Sequence, residues 1–123
     1  MPEKPSPKVY VVDDEPVIAS TLAAILNTSG FQATAYTRAE DAIKAAEREA
    51  PSLLISDVIM PGMNGVDLAI HVKSLCPKCK VLLFSGQAAT SDLMDSARAA
   101  GHDFELLEKP IHPKDLLAAI RKL

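Results

Sequence analysis

Two successive carboxylates, Asp13-Asp14, close the apolar run Val9-Tyr10-Val11-Val12, and a third, Asp57, closes a second run, Leu53-Leu54-Ile55-Ser56. Short apolar runs without strict alternation suit strands covered on both faces, as in a parallel sheet. If the two runs are neighbouring parallel strands, all three carboxylates meet at one edge of that sheet. Acids so crowded repel one another, and they persist together mainly where a hard divalent cation is to be held. A later Lys109-Pro110, again after an apolar stretch, brings one fixed positive charge to the same edge. That charge suits a site that receives a phosphoryl group.

Strand-like and helix-like segments alternate along the whole chain. Strands are expected near Val9–Val12, Phe31–Tyr36, Leu53–Ser56, Lys80–Phe84 and Phe104–Glu108. The first helix opens at Pro16, where a missing N–H costs nothing, carries Ile18, Leu22, Ile25 and Leu26 on one face, and stops at Gly30. Thr37-Arg38-Ala39-Glu40 has the form of a capping box for the second, which runs through Ala39, Ala42, Ile43 and Ala46 and is ended by Pro51. Asn64 caps a third helix from Gly65 to Leu75, with Leu68, Val72 and Leu75 inward. A fourth, Ser91 to Ala100, ends at Gly101, and a fifth, Pro113 to Leu123, places Leu116, Ile120 and Leu123 on one stripe. Five βα units in a row predict an α/β fold, a doubly wound parallel sheet whose ligands bind beyond the carboxyl ends of its strands.

The 123 residues suffice for one domain with its own core. Residues 1–8, with three prolines and little to bury, read as a flexible leader, and 9–123 as the domain. Thirteen basic against sixteen acidic side chains give a net charge of −3, which disfavours nucleic acid and anionic membrane as partners. No apolar stretch approaches the ~20 residues that span a bilayer, and Met1 to Lys8 lacks the core of a signal peptide, so the expected location is the cytoplasm. Cys76-Pro77-Lys78-Cys79 lacks a second ligand pair and falls in a helix-to-strand loop, so it reads as two reduced thiols rather than a zinc or redox site.

Asp13-Asp14, Asp57 with Met60-Pro61-Gly62-Met63-Asn64-Gly65, Ser85-Gly86, and Lys109-Pro110 come in this order, each at the end of an expected strand. Together they resemble the signature of a bacterial two-component response-regulator receiver domain of the single-domain, stand-alone type, and the resemblance spans about Lys8 to Leu123. It implies the flavodoxin-like strand order 2-1-3-4-5. It makes Asp57 the phosphoacceptor, taking a phosphoryl group from the phosphohistidine of a sensor histidine kinase or a histidine phosphotransfer protein. It implies Mg²⁺ held by Asp13, Asp14, Asp57 and the backbone carbonyl of Ile59. Ser85, Gly86 and Lys109 would contact the phosphoryl oxygens, and Pro110 would follow a cis peptide bond. Gly62 and Gly65 are expected to shape the loop after Asp57, where glycine accepts positive φ. The resemblance implies a phosphorylation-activated switch that modifies only itself, not an enzyme with an external substrate.

Three positions depart from the family pattern or tune it. Receivers couple a serine or threonine, here Ser85, to an aromatic residue three places before the lysine; here that place holds Leu106. Leucine cannot make a tyrosine hydroxyl contact, so the expectation is movement of Ser85 with smaller packing changes over Lys80–Leu123. Ile59 and Gln87 stand where the family flanks the water that attacks the aspartyl phosphate, and are expected to set its lifetime. Two other readings stay open: a flavodoxin-like nucleotide or FMN binder, disfavoured because no Gly-rich phosphate loop follows the first strand, and an unphosphorylated receiver-like scaffold. With no output segment after Leu123, the expectation is either a stand-alone receiver acting on an unknown protein target or a piece of a longer regulator or hybrid kinase. A dimer through the face of the last strands and helices is a further outlet the resemblance leaves open.

Overall fold

The computed structural model describes residues 6–86 and 91–123. The elements run β1 (Lys8–Val12), α1 (Pro16–Thr28), β2 (Gln32–Tyr36), α2 (Ala39–Arg48), β3 (Leu53–Asp57), α3 (Gly65–Leu75), β4 (Lys80–Ser85), α4 (Ser91–Ala99), β5 (Glu105–Glu108) and α5 (Pro113–Lys122). The strands form one parallel sheet in the order β2-β1-β3-β4-β5. Strand order therefore reverses between β1 and β3, and the crevice for a ligand opens there. Lys8 already belongs to β1, so the first strand takes in the last residue of the expected leader.

Side-chain alternation in the central strands feeds two cores. Val9, Val11, Leu53, Ile55, Leu82 and Phe84 pack on the face covered by α1 and α5. Tyr10, Val12, Leu54, Val81 and Leu83 pack on the face covered by α2, α3 and α4. Each large aliphatic side chain so buried contributes about 1.5–3 kcal/mol relative to exposure. The central strands are buried on both faces as expected, but the edge strands β2 and β5 are not, because each has a neighbour on one side only.

Gly30 and Gly101 adopt positive φ, and the Phe31 and His102 amides that follow them donate back to Leu26 and Ala97 at 3.1 and 2.8 Å. These are Schellman-type ends, which satisfy orphan carbonyls of α1 and α4. Asn64 caps α3, its Oδ1 accepting from the Asp67 amide at 2.8 Å.

Three local expectations are corrected. The capping box does not form: α2 starts at Ala39 with Arg38 in the extended N-cap position, which leaves Thr37 one residue too early to reach the first turn. The same helix stops at Arg48, before Pro51, because Glu49 turns extended and its carbonyl accepts the Tyr10 hydroxyl at 2.6 Å. Leu75 is 41% exposed, because Cys76, four residues after Val72, takes the inward place on α3. Cys76 and Cys79 are both free and buried beside that helix end, and burial pushes the Cys79 thiol up to about 11.

Gly65 was expected to serve through positive φ. Only Gly62 in that loop has it, at 77°. Gly65 is instead the first residue of α3, and a Cβ there would lie 2.0 Å from the Asp57 carbonyl oxygen and 3.0 Å from the Ser56 hydroxyl. The Gly65 amide donates to Val58 at 2.8 Å, so the contact is fixed from both sides. An alanine in a helix ordinarily gains up to ~1 kcal/mol over glycine. Here Gly65→Ala should instead destabilise by about 2–3 kcal/mol, because backbone must move, and urea unfolding of the purified variant measures the sign.

Candidate functional site

The site residues sit at the carboxyl ends of the strands, Asp57 and Ser85 as the last residues of β3 and β4 and Asp13 and Lys109 one step beyond β1 and β5, where the hydrogen-bond ladder continues. The Asp13 amide donates to Tyr36 at 3.1 Å, the Val58 amide after Asp57 to Phe84 at 3.0 Å, and the Lys109 amide to Ser85 at 2.9 Å. The register places Asp57 opposite Phe84 and Ser85 opposite Glu108. Residues far apart in the chain are thereby fixed at one edge by backbone alone.

Asp13, Asp14 and Asp57 each offer a carboxylate oxygen, and these atoms lie within 4.8 Å of one another. Asp13 is fully buried, Asp57 nearly so, and Asp14 exposed. The Lys109 ammonium reaches between the two buried acids, 3.1 Å from Asp13 Oδ2 and 3.1 Å from Asp57 Oδ2. It also lies 5.1 Å from the centre of the Phe84 ring, within range of a cation–π contact. The remaining oxygen of Asp13 accepts the Glu15 amide at 2.9 Å, so both of its oxygens are engaged. Among the described residues, Asp57 Oδ1 receives only the Ile59 amide, at 3.4 Å. The Lys109–Pro110 peptide bond is cis.

A cleft of about 580 Å³ opens over this edge, lined among others by Asp14, Asp57, Ile59, Ser85, Gly86 and Lys109. Asp13 does not line it and acts from behind. Leu106 lies outside the cleft, half-buried against the core under α4. Gln87 lies outside the described residues. A Cβ on Gly86 would make only ordinary contact with the Lys109 side chain, at 3.5 Å. The donor set fits Mg²⁺: three clustered carboxylates are hard oxygen ligands of the kind that ion takes.

Sequence reasoning missed Phe84, Ser56 and the true role of Gly65. Phe84 lies under the Lys109 ammonium, and Ser56, fully buried, donates to the Asp57 carbonyl at 2.9 Å. For Ser56, a lone hydroxyl inside an apolar run was a signal, since such a group must find a partner. For Phe84, membership in a buried strand hid the second contact.

The response regulator receiver domain model matches residues 9–121 of the 123. The chain belongs to the response regulator receiver domain family. TcrX of Mycobacterium tuberculosis, a probable transcriptional regulatory protein, is 33% identical over 94% of this receiver and 48% of its own length. The receiver protein CpdR of Brucella abortus is 29% identical, over 94% of this chain and 95% of its own. The response regulator protein TrrA of Thermotoga maritima, whose crystal structure is a complex with Mg²⁺-BeF, has a TM-score of 0.81 at 25% identity and is covered over 97%, against 94% here. The receiver thus spans about half of TcrX and nearly all of CpdR. It is a phosphorylation-activated signalling module of a two-component system, and its acidic cluster is compatible with Mg²⁺ and aspartyl phosphorylation. Among the described residues no helix is long and apolar enough to cross a membrane.

Burial raises the Asp57 carboxyl above its ordinary value; Lys109 pulls it down and Asp13 pushes it up, with a net upward shift. Burial lowers the Lys109 ammonium, but hydrogen bonds to Asp13 and Asp57 outweigh it and the net shift is upward. A group whose folded pKa is raised supports the fold below its unfolded value and loses that support as pH rises through the folded value. Ionised Asp57 is therefore a cost at neutral pH, and Lys109 offsets it until pH passes the raised ammonium value. Lys109→Met should destabilise the metal-free receiver at pH 7 by roughly 3 kcal/mol, the scale of a broken buried pair. Chemical denaturation in EDTA should show that deficit shrinking toward pH 4, as Asp57 takes up a proton.

Proposed function

We propose that this receiver accepts a phosphoryl group on Asp57 from the phosphohistidine of a sensor histidine kinase or a histidine phosphotransfer protein, and relays the change to a protein target. The setting of Asp57 carries the reading. Among the described residues it is the one acid both paired with Lys109 and open to the cleft, and its Oδ1 is the least engaged buried carboxylate oxygen there. An ionised carboxylate needs no base to act as nucleophile. In the transfer the P–N bond of the donor breaks, its electron pair returns to the imidazole nitrogen, and an Asp57 oxygen lone pair forms the new P–O bond.

The chain's own groups supply positioning and charge. Lys109 and the Ser85 hydroxyl line the cleft on the β4 and β5 side and would each hold a phosphoryl oxygen, while Gly86 leaves that wall without a side chain. Mg²⁺ bound by Asp14, Asp57 and the Ile59 carbonyl, with Asp13 behind, would neutralise the anionic oxygens as they approach. Ile59 at the cleft and Gln87 remain the positions for tuning the lifetime of the phosphorylated state. The Mg²⁺-BeF complex of TrrA supports this reading, since beryllium fluoride is a tetrahedral stand-in for a phosphoryl group and is bound there by a relative of the same fold. A histidine kinase donor also puts the receiver in the cytoplasm.

Incubation with acetyl phosphate and Mg²⁺ should add about 80 Da to the intact mass, the increment of one PO₃H group. Asp57→Asn, or EDTA, should abolish the gain; a gain retained by Asp57→Asn would place the acceptor elsewhere. Millimolar Mg²⁺ should raise Tm by mass action, about 1.4 kcal/mol of added stability at ten times Kd. Asp14→Asn should blunt that rise in the same thermal scan.

A further inference from the structure

The Lys109 side chain is laid along the end of β4. Its stem passes Gly86, where an added Cβ would meet Lys109 Cβ at 3.5 Å and Cδ at 3.6 Å, and its ammonium ends over the Phe84 ring, 5.1 Å from the centre. The backbone fixes the start of this path, since the Lys109 amide donates to the Ser85 carbonyl at 2.9 Å. Phe84 fixes its end. That residue is fully buried in the core with Val11, Ile55, Leu82 and Leu116, where close packing holds the ring in one place. Aliphatic side chains fill the other buried places of β1, β3 and β4 on that face, and only at 84, below the charge, is there a ring.

An ammonium has three N–H donors. Asp13 Oδ2 and Asp57 Oδ2 each lie 3.1 Å from it, and among the described residues the ring face is its third partner. The face of an aromatic ring carries negative potential, so it attracts the charge, whereas an aliphatic side chain in the same place would only desolvate it. Such a contact is strongest where water is excluded, and the Lys109 side chain is only 21% exposed. Phe84 does not line the acidic cleft, so whatever it does there it does through Lys109.

We infer that Phe84 is a positioning residue for phosphoryl transfer: its ring keeps the Lys109 ammonium at the Asp57 carboxylate before the donor arrives and beside the phosphorylated side chain afterwards. This role deepens the phosphoryl-accepting function proposed above and rests on it. Lysine is a point charge on a flexible four-carbon stem, and a charge fixed beforehand needs no reorganisation at the moment of reaction. Once an Asp57 oxygen has formed its bond to phosphorus, the carboxylate charge that held Lys109 from that side is gone. Asp13 and the ring are then the partners that keep the ammonium within reach of the phosphoryl oxygens.

The test replaces Phe84 in the full chain by 4-fluorophenylalanine and by 3,4,5-trifluorophenylalanine, which nearly keep the shape of the ring while withdrawing charge from its face in steps. With Mg²⁺ and saturating acetyl phosphate, the rate of mass gain should fall at each step, by about tenfold with three fluorines. KM for acetyl phosphate should change less than about twofold, since the held charge acts in the transition state. Two measurements on the resting protein in EDTA stand apart from the phosphoryl reading. By NMR the ring should move the Lys109 ε-methylene protons upfield of those of the other lysines, and the trifluoro ring should return them part way as the ammonium leaves it. In urea unfolding the trifluoro ring should lower the midpoint with Lys109 present, and by less than about half as much in Lys109→Met. Mass gain at one rate across the series, equal midpoint losses with and without Lys109, or Lys109 protons at the ordinary lysine position would each overturn the inference. An upfield shift in protein that gains no mass would instead overturn the phosphoryl reading, and with it the part of Phe84 in transfer, while the resting contact stood.

Discussion

The bridge from Lys109 to Asp13 and Asp57 is the contact on which the working edge depends. It joins the ends of β1, β3 and β5 through one ammonium, 3.1 Å from each carboxylate. Three carboxylate oxygens within 4.8 Å repel by roughly 3–4 kcal/mol per pair at an effective dielectric near 20. One positive charge offsets the repulsion between the two acids it touches and leaves Asp14 unbalanced. An edge held in this way is stable enough to fold and still short of positive charge. That shortfall is what suits it to a divalent cation.

The three acids are not equivalent, and burial separates their tasks. Asp13 has both oxygens occupied, one by the backbone at the start of α1 and one by Lys109, and no exposure to the cleft. It sets the local potential and the position of Lys109. Asp14 is exposed and free to meet a hydrated ion. Asp57 lies between these extremes, buried enough for its carboxyl to be raised, yet open to the cleft through one lightly engaged oxygen. In the proposed role of nucleophile Asp57 would gain from this mixture, since desolvation removes the water shell that would otherwise have to be stripped.

The central architecture was legible because its signals were strong and redundant. Five apolar runs, Pro16 and Pro113 at helix starts, Gly30 and Gly101 at helix ends and Asn64 as a cap all fell where the backbone needs them. The four motifs at strand ends converge as their positions implied. What was not legible depended on contacts between distant segments. Thr37 and Glu40 have the spacing of a capping box, but the extended path of Arg38 moves the cap forward by one residue. Leu75 fits helical spacing, yet the competing Cys76 lies closer to the buried stripe. Gly65 looked like a turn glycine; only the packed structure reveals the Asp57 carbonyl against its Cα. Phe84 beneath Lys109 could not be read at all, because β4 and the β5 end meet only through the sheet.

Gly65 also explains how an event at Asp57 can leave the site. The Asp57 carbonyl is touched by the start of α3 and held by the Ser56 hydroxyl, while its side chain is held by Lys109 after β5. Closely packed elements move as units when a neighbour shifts, since interiors at crystal-like density have little slack to absorb displacement. On the proposed phosphoryl transfer, a displacement of the Asp57 side chain toward the phosphoryl group would release Lys109 from one of its two partners. The ammonium would then follow the new negative charge, and Ser85, which shares the cleft wall with it, would meet an altered neighbour. With leucine at 106, that proposed response falls to the Lys109 and Ser85 wall rather than to an aromatic ring.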